Sequence, residues 1–254
     1  MTWDPAQYLK FAGPRLRPAV DLLSRVPADV PETVYDLGCG AGQTVSLLAA
    51  RFPKADVTGI DSSPEMLKMA RNAFPEHRFV ATDIARFNAV PPAHLLFSNA
   101  ALQWLPDHMR LFPRLMASVK VGGVLAVQMP RVEDSPRIRE LRAVASDPRW
   151  ADRALPRVQP GPMAPEAYYD LLAPLSLTLD VWETEYLHAL VGRDPVVEWS
   201  KGAGAGPILA ALTAEEQKKF LARYTEAMRA AYPPRADGTT LLPFRRLFIV
   251  AVRR

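Results

Sequence analysis

Between Thr33 and Met129, short runs of β-branched and other apolar residues alternate with stretches whose apolar positions recur at helical spacing. That alternation is the rhythm of successive βαβ units, and therefore of a mostly parallel sheet with helices on its faces. It predicts strands at Thr33–Leu37, Asp56–Ile60, Arg78–Ala81, His94–Ser98 and Val124–Met129, with helices over Gln43–Arg51, Pro64–Phe74 and Met109–Val119 between them. Ser63 followed by Pro64 suits a helix start, because serine caps free amides and proline needs none. Gly122-Gly123 reads as a turn ahead of the fifth strand.

Beyond Met129 the pattern loosens into helical, proline-punctuated sequence up to about Pro174. Ser176–Leu190 then alternates as a sixth strand with one buried and one wetter face. Thr213 and Glu216 form a capping box that opens a helix from Ala214 to about Ala231. Arg246–Val252 reads as a last strand. The expectation is a Rossmann-like α/β fold with a mostly parallel seven-stranded sheet flanked by helices, in one domain over 1–254. Its sheet core draws on about 30–130, 176–190 and 241–254, and a helical cap on 1–29, 131–175 and 191–240. No internal repeat or low-complexity linker interrupts this organisation.

Composition narrows the setting. A chain of 254 residues, 49% hydrophobic and 23% charged, has the length to bury a full core. No apolar run approaches the roughly 20 residues of a membrane span, and no basic-then-apolar leader opens it, so the expected location is cytoplasmic. A lone cysteine, Cys39, excludes an internal disulfide and a cysteine-based metal cluster, and no metal is expected. Net charge is +4 and the isoelectric point about 9.3. Basic residues are nevertheless interleaved with acids, as in Arg131-Val-Glu-Asp-Ser-Pro-Arg-Ile-Arg-Glu140, which reads as a solvated helical surface and not a phosphate track. Neither nucleic acid nor membrane is expected as a partner; a small anionic substrate accounts for a few cations.

The segment that carries chemistry is Asp36-Leu37-Gly38-Cys39-Gly40-Ala41-Gly42, a strand, a glycine turn and a helix start. Glycines let the chain turn sharply and let a ligand approach backbone amides. A dinucleotide site spaces its glycines G-x-G-x-x-G. Here the third comes one residue early and Asp36 precedes the first by two, which favours S-adenosylmethionine, whose methionyl end is positive and which has no pyrophosphate. Asp61, with Ser62 beside it at the tip of the second strand, suits the ribose hydroxyls. Asp83 and the Ile84 backbone, after the third, suit adenine, and Met66 could stack on its ring or simply fill core. Asn99 and Trp104, after the fourth strand, fall near where the transferable methyl should lie. The Asn99-Ala-Ala-Leu102 sequence lacks the Pro-Pro-aromatic pattern associated with amino-group acceptors.

As a set these residues resemble the class I S-adenosylmethionine-dependent methyltransferases. Trp3-Asp4-Pro5 with Tyr8, Arg17-Pro18-Ala19-Val20, Gly59-Ile-Asp-Ser-Ser-Pro64, Gln103-Trp-Leu-Pro-Asp-His108, Gln128-Met-Pro130, Tyr168-Tyr-Asp170 and Arg246-Leu-Phe-Ile-Val-Ala251 resemble, across nearly the whole chain, the trans-aconitate 2-methyltransferase family. The resemblance implies methyl transfer from S-adenosylmethionine to a carboxylate of trans-aconitate, giving a monomethyl ester and S-adenosylhomocysteine. Such an acceptor is already ionised at neutral pH, so no catalytic base is expected, only positioning and exclusion of water. The two other carboxylates need cations. Arg17 and Arg246 are the candidates, with Tyr8, Tyr169, Tyr186 and His188 in support and Trp3 as a pocket wall. Arg246 reads equally as a protective charge on a sheet edge, and the tyrosines as core or rim aromatics. One departure stands out: Gly206 occupies the place where the family pattern leads one to expect an arginine, which opens the choice of acid or leaves Lys201 to substitute. Rival readings are a methyltransferase for another small acid or small-molecule oxygen or carbon acceptor, and a non-catalytic S-adenosylmethionine sensor or partner subunit.

Overall fold

The computed structural model describes residues 12–27, 31–150, 153, 155–156, 161–202 and 204–254, with side chains from residue 16 onward. Seven strands form one sheet: β1 (Thr33–Leu37), β2 (Asp56–Asp61), β3 (Arg78–Ala81), β4 (Ala93–Asn99), β5 (Val119–Pro130), β6 (Ser176–Leu190) and β7 (Thr240–Arg253). Their order is β3-β2-β1-β4-β5-β7-β6. The pairs from β3 to β5 are parallel, whereas β7 runs antiparallel to β5, with Leu125 opposite Ala251 and Val127 opposite Ile249. The expected mostly parallel seven-stranded sheet is thus the one observed. Among the described residues no helix is long and apolar enough to cross a membrane.

Helices follow the strands as the pattern requires: α1 (Ala12–Leu23), α2 (Gln43–Arg51), α3 (Pro64–Ala73) and α4 (His108–Ala117). At α3 the Ser63 hydroxyl accepts from the Met66 amide while Pro64 fills the first turn, so one residue pair both caps and starts the helix. Gly122-Gly123 differs from expectation: the strand continues through it. Ala93 pairs with Val119 and Leu95 with Val124, so β5 carries a bulge there. Gly122 takes up the irregularity in the left-handed region (φ 76), and a Cβ on Gly123 would stand 2.7 Å from the His94 carbonyl oxygen. The glycines are a close-approach site inside a strand and not its boundary.

The chain divides into two compact units. The larger comprises 15–131, 162–184 and 246–254. Its core joins Leu37, Ile60, Leu96, Phe112, Leu125 and Ile249, inward positions of β1, β2, β4, β5 and β7 with a helix laid on them. The smaller comprises 1–14, 132–161 and 185–245. It contains α5 (Pro136–Ala145), α7 (Pro195–Lys201), α8 (Gly206–Ala210) and α9 (Ala214–Ala231), while α6 (Pro165–Leu172) belongs to the larger. The smaller unit has its own core, including Leu141, Trp150, Trp199, Phe220, Tyr224 and Phe244. At the start of α9 the capping box is complete: Thr213 Oγ1 accepts from the Glu216 amide, and the Glu216 carboxylate accepts from the Thr213 amide at 2.8 Å. Arg153 adds a second contact to that carboxylate at 2.8 Å.

Removing the cap hydroxyl leaves amides of the first turn without a partner, at about 1 kcal/mol. Thr213→Ala is therefore expected to lower the melting temperature by about 2–4 °C, read by calorimetry; an unchanged transition would show that the box is dispensable.

Candidate active site

The glycine turn is held by the neighbouring strand. Gly38 and Cys39 amides both donate to the Ile60 carbonyl, at 2.7 and 2.9 Å. Gly38 has φ 80, and a Cβ there would lie 2.2 Å from Ala101 Cβ; only glycine passes. The Gly40 amide donates to Asp61 Oδ2 at 2.9 Å and the Ser63 amide to Asp61 Oδ1 at 2.8 Å. Asp61 therefore pins the turn as well as ending β2. One amide per oxygen leaves each with a further lone pair for a hydroxyl. Ser62 is exposed beside it, and Met66 is buried, its methyl 3.0 Å from where a Gly40 Cβ would stand.

Asp83 Oδ1 accepts from the Ala85 amide at 2.8 Å, capping a short turn over Ile84–Arg86 that buries Ile84. At the end of β4, Asn99 has a buried Oδ1 with no partner. Ala100 follows in the left-handed region with φ 55, unusual for a residue with a Cβ. Gln103 Nε2 donates to the Ala100 carbonyl at 2.7 Å, and Gln103 Oε1 is buried without a partner. Trp104 is exposed.

The electrostatic centre of the larger unit is Asp36. Its side chain is 1% exposed and neither carboxylate oxygen has a partner. Burial above all, and the charge of Asp61 second, push its acidity up to about 8. A buried carboxyl left without donors is costly, which makes Asp36 a candidate for binding a cation. The chemistry of these groups fits S-adenosylmethionine: Asp36 would take the methionyl ammonium, Asp61 the ribose, and Asp83 with Ile84 the adenine. Cys39 is buried, and burial with the two nearby aspartates pushes its thiol up, so it stays protonated and inert.

Arg246 is 3% exposed and donates to Gln128 Oε1 at 3.2 Å. Because β7 lies between β5 and β6, an edge-guarding role for Arg246 does not apply. Gln128 is not among the site candidates read from the sequence; its signals are a polar residue amid the apolar run Val124–Met129 and its place in the Gln128-Met-Pro130 segment of the resemblance. Arg17 has a side chain 72% exposed and an ion pair with Asp21 at 3.8 Å. Tyr169 is exposed. Tyr186 and His188, in the smaller unit, are buried in a stack: the His188 ring lies 6.2 Å from Tyr186 and 4.9 Å from Trp199. Trp3 and Tyr8 lie outside the described residues. Lys201, considered as a substitute cation, is paired with Glu198 at 2.6 Å. The 131–140 segment departs from a purely solvated surface, since Arg137 within it is 3% exposed.

The parallel sheet with its antiparallel β7, the glycine turn after β1 and acids at the tips of β2 and β3 define a class I S-adenosylmethionine-dependent methyltransferase. A methyltransferase-domain family profile matches residues 34–123. The chain is 51% identical over 253 residues to the trans-aconitate 2-methyltransferase of Methylobacterium nodulans, covering 99% of this chain and 98% of the relative; it belongs to the trans-aconitate 2-methyltransferase family. Among solved structures it resembles the YcgJ protein of Bacillus subtilis, with a TM-score of 0.59 at 14% identity over 94% of this chain and 99% of that one. It also resembles Haemonchus contortus phosphoethanolamine N-methyltransferase 2 in complex with S-adenosyl-L-methionine, with a TM-score of 0.57 at 15% identity over 98% of this chain and 56% of that one.

A folded-state acidity of about 8 against 3.8 for a free aspartate means that the folded protein holds the Asp36 proton where the unfolded chain has lost it. Below 3.8 both states are protonated; between 3.8 and about 8 the ligand-free fold loses stability as pH rises. Melting temperatures from pH 5 to pH 8 should thus fall more steeply for the wild type than for Asp36→Asn, which cannot ionise. Equal slopes would remove Asp36 as the buried titrating group.

Proposed function

We propose that this chain transfers the methyl group of S-adenosylmethionine to a carboxylate of trans-aconitate, giving the monomethyl ester and S-adenosylhomocysteine. The observation that carries the reading is likeness along 99% of the chain, at 51% identity, to a relative of that name. The cofactor supplies an electrophilic methyl on a sulfonium. The chain's own residues bind and orient. Asp36 neutralises the cationic amino-acid end, Asp61 takes the ribose hydroxyls while keeping the glycine turn in place, and Asp83 with the Ile84 amide reads adenine beside Met66. Asn99 and Trp104 flank the transfer position.

A carboxylate with an ordinary acidity near ~4 is ionised at neutral pH, so it needs no base. Rate then comes from alignment and from stripping water off the nucleophile. Among the described residues no cluster of three His, Cys, Asp or Glu forms a metal site, and the proposed chemistry needs none. Arg246 is our candidate for one of the non-reacting carboxylates, since a guanidinium forks two hydrogen bonds onto that group. Several surface cations are engaged with acids, as in Arg131–Glu183 at 2.8 Å and Arg229–Asp194 at 2.7 Å, a mixed pattern that suits a small acid better than a polyanion. The buried, protonated Cys39 suits the reducing cytoplasm in which we place the reaction.

Purified protein with methyl-labelled S-adenosylmethionine and a panel of di- and tricarboxylates should give a base-labile ester, most efficiently on trans-aconitate. A stronger preference for another acid would trace to Gly206, and tight cofactor binding with no ester on any acid would point to a sensor instead. Arg246→Gln should raise the Michaelis constant for the acid about 10-fold or more, from loss of a charged hydrogen bond, and leave that for the cofactor unchanged. Unaltered acid kinetics would remove Arg246 from the substrate site.

A further inference from the structure

Between the end of β4 and the start of α4 the backbone is strained twice. Ala100 has φ 55 and Asp107 φ 54, and a residue with a Cβ persists in that region only where its surroundings hold it there. Part of that hold comes from His108, which is buried. Its Nε2 lies 2.9 Å from the Leu102 carbonyl oxygen, inside the loop, and its Nδ1 lies 2.5 Å from the Tyr168 hydroxyl on α6. A carbonyl carries no hydrogen, so Nε2 donates. Burial above all pushes the ring's pKa below its ordinary value and keeps it neutral, so Nδ1 accepts and the Tyr168 hydroxyl donates. The same hydroxyl accepts from the Met163 amide at 3.3 Å. Each hydrogen along the relay from Met163 through Tyr168 and His108 to Leu102 thus has a fixed direction.

The other side of the loop bears on the glycine turn. Ala101 comes so close to Gly38 that a Cβ on Gly38 would stand 2.2 Å from the Ala101 Cβ, and Leu102 beside it is fully buried. Within the loop Gln103 Nε2 donates to the Ala100 carbonyl at 2.7 Å, and the Trp104 and Leu105 amides donate to the Ala101 and Leu102 carbonyls at 3.2 and 3.0 Å. The segment is thereby tied to itself, and a pull on Leu102 reaches Asn99 and Trp104, which we place beside the transfer position. All of these residues belong to the larger unit. A displacement of about 1 Å in a transfer site can cost about 100-fold in rate. We infer that His108 and Tyr168 are positioning residues for methyl transfer: through the Leu102 carbonyl they set the loop from Asn99 to Trp104 against the glycine turn.

The inference rests on the acid-acceptor reading above, and its test separates the two. The Phe112 ring packs 5.3 Å from His108 and 4.8 Å from Tyr168, so Tyr168→Phe removes one hydroxyl and keeps the apolar contacts. His108→Leu removes both ring nitrogens, whereas His108→Gln keeps an N–H for the Leu102 carbonyl and an oxygen for the Tyr168 hydroxyl. Turnover is counted per donor site, titrated with S-adenosylhomocysteine by calorimetry, so that unfolded protein does not enter. On trans-aconitate it should fall about 5-fold in Tyr168→Phe and about 10- to 100-fold in His108→Leu, with both Michaelis constants within about twofold of wild type, and His108→Gln should recover most of the loss. Turnover within twofold of wild type in Tyr168→Phe and His108→Leu overturns the assignment. So does a loss carried by the Michaelis constants, or a glutamine variant no better than the leucine one. If the His108 variants do not fold, Tyr168→Phe decides alone. If the wild type esterifies no acid, the acceptor reading fails by itself, and amide hydrogen exchange then tests the relay. Exchange at Trp104 and Leu105 at least 10-fold faster in Tyr168→Phe, with β1 amides as slow as in the wild type, supports it; unchanged or uniformly faster exchange overturns it.

Discussion

The Asp61 carboxylate is the constraint on which the glycine-turn corner of the larger unit depends. One side chain, reached across 21 residues of sequence, takes the Gly40 amide on one oxygen and the Ser63 amide on the other. It thereby joins the turn after β1, the tip of β2 and the start of α3 into one rigid corner. The Ile60 carbonyl adds the Gly38 and Cys39 amides. With three of its backbone donors spoken for by the next strand, the turn needs no ligand to hold its shape. Preorganisation of this kind lowers the ordering cost of binding.

That corner also explains why Asp36 can be left unsatisfied. Its strand is hydrogen-bonded on both sides, to β2 and to β4, so the backbone has no freedom to carry the carboxyl out to water. Burial and the neighbouring Asp61 charge then raise its acidity to about 8. The same charge that secures the turn helps keep the neighbouring carboxyl protonated. The hold on the turn and the raised acidity of Asp36 are thus coupled through two aspartates at the ends of adjacent strands.

Legibility in the sequence followed the range of the interactions. β1, β3, α2 and β6 appear with the boundaries that periodicity predicts, because burial and local propensity agree there. The capping box at Thr213 and the serine cap at Ser63 are local chemistry and were readable for the same reason. Gly122-Gly123 reads as a turn in the sequence because nothing nearby says that the His94 carbonyl approaches Gly123; that contact is made by another strand. Gln128 and Gln103 matter through burial, which single residues in apolar or mixed runs do not announce. Arg137 is the extreme case. It stands in a mixed-charge run that reads as a wet helical face, and it is enclosed by Tyr232 and Phe244, about a hundred residues away along the chain.

The distribution of positive charge ties these points together. Many surface arginines face an acid: Arg149 and Arg223 meet Asp147, Arg153 meets Glu216, Arg229 meets Asp194. Exposed pairs of that sort contribute little to stability, about 0–1 kcal/mol each, but they quiet the field that a basic chain would otherwise spread over its surface. Among the described residues Arg137 and Arg246 are the two buried arginines. Arg246 meets a neutral amide; Arg137 meets aromatic rings and hydroxyls that serve its backbone. Desolvated cations interact with an incoming carboxylate far more strongly than hydrated ones do. The electrical character of the interior is therefore set by where Arg137 and Arg246 are buried, not by the net charge of the chain.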